Sequence, residues 1–140
     1  MTPLWQERLG RADARTRPTP QVWSPTEYAA HVRDVHRVFA GRFAQLLTQD
    51  DPLFANWDQD AAAIEGDYAS LPPGQVGREL ASAAEEIASQ LELVGADQLD
   101  RPGRRSNGSV FTVDSLGRYY LHDLVHHLYD VERPRQDFDD

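Results

Sequence analysis

Trp23-Ser24-Pro25-Thr26-Glu27-Tyr28-Ala29-Ala30-His31-Val32-Arg33-Asp34-Val35 is the stretch that decides the fold. Ser24 is suited to cap a helix, Pro25 to its first position, where no amide hydrogen is needed, and Glu27 to reach back and complete a capping box. Beyond it, Tyr28, Val32, Val35, Phe39, Phe43 and Leu46 recur at three- and four-residue steps, the period of a core-facing helical stripe. The spacing predicts a long helix over 24–49, ended by Gln49-Asp50-Asp51-Pro52. His31 lies within that apolar stripe, where a polar ring without a partner costs free energy.

Working outward, Val76, Leu80, Ala83, Ala84, Ile87, Leu91 and Val94 predict a second long helix over 74–94. Thr112 reads as the cap of a last helix over 113–131, with Leu116, Tyr120, Leu124, Leu128 and Val131 on its apolar side. A short helix is expected over 59–69, stopped by Leu71-Pro72-Pro73-Gly74, and an N-terminal one from Thr2 to near Ala14, before the Pro18/Pro20 linker. Residues 53–59 read as a structured loop. Gly95 to Gly108 reads as a turn-rich segment, Val110 to Val113 as briefly extended, and 132–140 as a frayed acidic tail. Strand alternation nowhere persists, so the expected class is all-α: one helical-bundle domain over 1–140.

The composition narrows function. Of 140 residues, 40% are hydrophobic, sufficient for a core, and 14 basic against 23 acidic residues give a net charge of −9. Nucleic-acid phosphates and anionic membrane surfaces are therefore poor partners. Every basic residue is Arg and cysteine is absent, which excludes lysine catalysis, disulfides, thiolate ligands and a cysteine nucleophile. The first eight residues lack the apolar core of a secretory leader, and a cytoplasmic location is expected.

Five histidines, at 31, 36, 122, 126 and 127, are the chemistry-bearing residues. His122 and His126 are four apart, ~40° in azimuth on a helix, and can face one point as a chelating pair. A catalytic divalent cation commonly takes three protein ligands and keeps an open position, and His31 is the expected third. His36 lies ~140° around the helix from His31, and His127 is ~100° around from His126. Both are placed outside the set, with His127 as first substitute for His126. A zinc-protease pattern is not met, because position 123 is Asp rather than Glu.

Together, Trp23 to Val35 and Leu121-His122-Asp123-Leu124-Val125-His126-His127-Leu128 resemble the DinB superfamily, over about residues 12–131. Phe54 to Asp58 and Arg101 to Ser106 resemble a subgroup of single-domain members. The resemblance implies a four-helix bundle and a divalent ion (zinc, nickel or iron) on His31, His122 and His126. It further implies a possible enzyme transferring a small thiol of the mycothiol or bacillithiol kind to an electrophile, with a non-catalytic, stress-associated metal-binding or dimerising bundle as the alternative. An N-terminal helix shorter than usual for the group favours a homodimer. Asp34, Asp123 and Asp130 are candidate carboxylate partners for the imidazoles. Arg104 and Arg105 are candidates for binding a substrate carboxylate, and Trp57 and Tyr119 for lining a pocket beside the ion.

Overall fold

The computed structural model describes residues 2–132, so the tail expected over 132–140 lies outside the described residues except for Glu132 at the end of the last helix. The helices are α1 (Thr2–Leu9), α2 (Pro25–Thr48), α3 (Gln59–Glu65), α4 (Pro73–Glu92) and α5 (Val113–Glu132). The capping box forms as the sequence dictates. Glu27 N–H donates to Ser24 Oγ, and Ser24 N–H donates to the Glu27 carboxylate, both at 3.1 Å. At α5 the Ser115 N–H donates to Thr112 Oγ1 at 3.1 Å, satisfying one of the helix's first unpaired amides.

Helix α2 is the central element, packed against both α4 and α5, while α1 lies across α4. Its stripe of Val32, Val35, Phe39, Phe43 and Leu46 meets Val76, Leu80 and Ile87 from α4 and Leu116, Tyr120 and Leu124 from α5 in one buried cluster. The architecture is the expected four-helix bundle, with α1, α2, α4 and α5 as its helices.

Three local expectations need correction. Helix α1 stops at Leu9, short of Ala14. The Ala14 carbonyl instead accepts from Thr26 N–H at 2.9 Å and Thr26 Oγ1 at 2.6 Å, tying the linker to the start of α2. The helix expected over 59–69 breaks at Glu65, and after Asp67, in the left-handed region at φ 48°, the chain continues as a 3-10 turn at Tyr68–Ser70.

A small sheet is also present: β1 (Leu53–Phe54) runs parallel to β2 (Pro102–Arg105), which pairs antiparallel with β3 (Val110–Thr112). Gly103 lets β2 approach the end of α2, since a Cβ there would lie 2.6 Å from Leu46 Cδ2 and 3.0 Å from Phe54 Cζ. The sheet closes the bundle at the end away from Ser24.

Candidate metal centre

The histidine pairing in the structure differs from the one the spacing suggested. His31 is 1% exposed, and its Nε2 lies 3.1 Å from Nε2 of His127, with the ring centroids 4.5 Å apart and the planes nearly perpendicular. His122 and His126 do stack as a pair, at a centroid separation of 6.4 Å, but on the solvent-exposed face of α5 and away from His31. The rotation of α5 explains this. Tyr120 and Leu124 are buried, and seven residues, nearly two turns, bring His127 back to within ~20° of Tyr120, whereas His126 is ~120° away.

Aromatic rings enclose His31. Trp57 stacks on it with centroids 5.5 Å apart and planes 6° from parallel, and Trp23 lies at 5.3 Å on a tilt. Tyr28 is 6.3 Å from His127. Trp57, expected to line a pocket beside the ion, is found stacked on His31. Tyr119, expected there too, instead stacks on Phe39 and meets Phe111 edge-on, near the sheet. Arg104 is likewise occupied elsewhere, paired with Asp51 at 2.8 Å on the surface.

Carboxylates crowd His127. Asp123 Oδ1 is 3.4 Å from its Nε2, and Asp130 Oδ2 is 3.8 Å from its Nδ1 and 3.5 Å from Nε2 of His126. Asp34 is held by Arg33 at 3.0 Å and accepts the Tyr68 hydroxyl, so it acts on His31 only through its charge. Among the described residues, no three histidine or acidic side chains stand arranged to hold a metal ion. What the fold does bring together is the His31–His127 pair with Asp123 one turn before His127.

Burial pushes the His31 pKa down to about 4, with the neighbouring His127 adding to the effect and the charges of Asp123 and Asp34 opposing it. The ring is therefore neutral at pH 7 and its nitrogen lone pair is available. For Asp123, burial pushes the pKa up, but the hydrogen bond and charge of His127, joined by His31 and His126, outweigh it and hold the carboxyl below its usual range. A neutral imidazole beside an ionised carboxylate is the protonation state that divalent cations require of their ligands.

As a plain hydrogen-bonded pair, one Nε2–H would donate to the other Nε2. Either choice of donor leaves Nδ1 of both rings buried without a partner among the described residues. The arrangement thus gains one hydrogen bond and strands two polar atoms, a poor exchange for a purely structural core contact. Two imidazole nitrogens bound to one ion at ~2.1 Å would sit about 3.0 to 3.4 Å apart for angles between octahedral and tetrahedral. The separation of 3.1 Å falls inside that range.

Compared with family models, the chain matches the DinB superfamily over residues 2–131. It belongs to the DinB superfamily. Among solved structures it is similar to YfiT from Bacillus subtilis, described as a probable metal-dependent hydrolase with an unusual four-helix bundle topology. The TM-score is 0.82 at 18% identity, over 99% of this chain and 82% of that one. At that identity, the likeness to YfiT carries the fold alone. No curated protein matches. No helix among the described residues of this DinB superfamily chain is long and apolar enough to cross a membrane.

Sequence reasoning reached His31 and the correct helix for its partner. The i, i+4 spacing sets His122 and His126 opposite His31 with His127 as the substitute, whereas the structure turns His127 toward His31 and leaves His122 and His126 on the outer face of the helix. Adding His127 to the stripe, three residues after Leu124 and four before Val131, is the signal that finds it.

Proposed function

We propose that the chain is a divalent-metal-dependent enzyme that transfers a small-molecule thiol to an electrophile, with His31 and His127 as the paired imidazole ligands and Asp123, 3.4 Å from His127 Nε2, as the nearest carboxylate, which would shift to join them. The observation that carries the reading is the 3.1 Å facing of two buried imidazole nitrogens. A cation held there would act as a Lewis acid, lowering the pKa of a bound nucleophile. One carboxylate in a set of two imidazoles leaves less positive charge than three imidazoles would. That suits a thiol, with an ordinary pKa near ~8.5, better than water near ~15.7.

The protein's own residues have assignable roles. Asp130, its Oδ2 3.8 Å from Nδ1 of His127, is too far to accept a hydrogen bond from it and faces the ring through its charge alone. Trp57 and Trp23 shield the His31 ring from water and keep it neutral. In the transfer, the sulfur forms its bond to the electrophilic carbon as the leaving group departs, and the thiol proton passes to solvent or to the leaving group. A thiol supplied as substrate is consistent with a chain that has no cysteine.

The second reading is hydrolysis at the same residues, favoured by the fold likeness to YfiT, described as a probable hydrolase. Metal content of untagged protein is the first test, followed by thiol consumption with mycothiol- and bacillithiol-like compounds and a generic alkylating electrophile, alongside ester hydrolysis. Thiol consumption that is lost in His127→Ala and kept in His126→Ala supports transfer. Ester hydrolysis with no thiol consumption supports the second reading. Metal-loaded protein inert toward both leaves a non-catalytic metal-binding bundle, and protein that binds no metal removes the proposal.

A further inference from the structure

The chain has a net charge of −9, yet two half-buried arginines stand together at the sheet end of the bundle with no acid paired to them among the described residues. Arg42, eleven residues and about 16 Å along α2 from His31, lays its guanidinium over the rings of Phe39 at 5.4 Å and Phe54 at 5.6 Å. Arg105 in β2 is the register partner of Phe54 in β1, so both side chains leave the same face of the sheet. Tyr119 of α5 stacks on the same Phe39, with centroids 6.0 Å apart. Phe39 and Phe54 thus draw two cations and a phenol, from three elements, into one neighbourhood.

Their donors are largely unused. Arg42 makes one long contact, to the Ala55 carbonyl at 3.4 Å, and Arg105 has no side-chain hydrogen bond among the described residues. Arg104, the next residue along, differs in being paired with Asp51. The Tyr119 side chain is 46% exposed, and its hydroxyl has no partner among the described residues. Burial lowers the Arg42 pKa most, the charge of Arg105 lowers it further, and Tyr119 alone opposes them, so no described carboxylate compensates the pair. Two like charges held on a rigid aromatic base repel each other, and an anion between them turns that repulsion into attraction.

We propose that Arg42, Arg105 and Tyr119 form a binding site for a phosphate monoester, separate from the His31–Asp123–His127 group. The dianion, about −1.5 to −2 near pH 7, matches two guanidinium charges, and its three terminal oxygens offer each of the three side chains an acceptor. A carboxylate brings half the charge and one oxygen fewer. Arg42 also borders a cavity of about 340 Å³ with no acidic residue in its lining, which leaves room beside it for the organic part of the ligand.

The test is calorimetry on the whole chain, depleted of metal and at low ionic strength, with phenyl phosphate as probe and benzoate as the singly charged comparison. The expected result is saturable binding of one phenyl phosphate per chain, with benzoate at least tenfold weaker. Arg105→Gln should weaken phenyl phosphate by tenfold or more and Tyr119→Phe by severalfold, the worth of a charge-assisted and of a neutral hydrogen bond. Arg118→Gln, which removes the same charge at an 81% exposed side chain next to Tyr119, should leave the affinity unchanged. Because it relieves the repulsion on Arg42, Arg105→Gln should unfold at no lower a urea concentration than wild type when phosphate is absent. Absence of saturable binding, benzoate as tight as phenyl phosphate, or an Arg118→Gln loss equal to that of Arg105→Gln would each overturn the proposal. The comparison of the two probes is made on the wild-type chain and needs no variant to fold.

Discussion

Burial of His36 makes the stability of the bundle depend on pH in a calculable way. The ring is pushed from an ordinary 6.5 down to about 4 by desolvation. A histidine whose folded pKa is depressed contributes stability that is fully present above the unfolded value and is lost as pH falls from 6.5 toward 4, because the unfolded chain binds the proton first. For one such group the loss between pH 8 and pH 5.5 is RT ln[(1 + 10)/(1 + 10^−1.5)], about 1.4 kcal/mol. His36→Gln removes the titration while keeping an oxygen to accept from Tyr120, whose hydroxyl hydrogen-bonds His36 Nδ1. Urea unfolding followed by circular dichroism, with chelator present, should show the wild-type midpoint falling between pH 8 and 5.5. In His36→Gln that fall should be smaller by the equivalent of about 1.4 kcal/mol. The window stays above the range where carboxylates such as Glu27 and Asp123, both held below their usual values, begin to titrate. A variant that keeps the full wild-type pH dependence would show that His36 is not held neutral by its surroundings, and the reasoning would fail.

Other outcomes follow from the same geometry. His127→Ala should weaken zinc binding by more than about 100-fold by calorimetry, whereas His126→Ala should change it little, because changes beyond the ligands themselves already cost roughly 10- to 100-fold. Asp123→Asn, which removes the charged donor, should weaken the same binding by at least about 100-fold while leaving the far-ultraviolet spectrum intact. Gly103→Ala should destabilise the fold by about 1–3 kcal/mol in urea, since its methyl group would enter Leu46 and Phe54 at the sheet. Ser24→Ala removes the acceptor for Glu27 N–H and should cost about 1 kcal/mol by the same assay.

The parts of the fold that could be read beforehand are those in which local chemistry and periodicity agree. The capping box at Ser24 and the stripe from Val32 to Leu46 specify α2 without help from the rest of the chain. The sheet could not be read in this way. Its strands are two to four residues long, too short for alternation, and β1 finds β2 across nearly fifty residues of sequence. Helix α1 stops at Leu9, and the Ala14 carbonyl beyond it is tied to Thr26, a tertiary contact that no local pattern reports.

At the site, His31 was legible because a polar residue sits in an otherwise apolar stripe. Its partner was obscured by the adjacency of His126 and His127, where one residue of rotation separates the solvent face from the interior. Asp123 was legible only as a carboxylate near histidines, and its place beside His127 Nε2 required coordinates. The meeting of Arg42 with Arg105 depends on β1 pairing with β2, a feature of tertiary register rather than of either segment.

The facing imidazoles also bear on how this bundle is held shut. His31 and His127 are 96 positions apart along the chain, in a protein with no cysteine to form a covalent bridge. An ion shared by the two would close a loop of that length, and a permanent link across about a hundred residues restricts the unfolded chain by roughly 4–5 kcal/mol in the polymer description. Cofactor loading would then double as fastening, and the melting temperature would track the free concentration of the cation in the surrounding buffer.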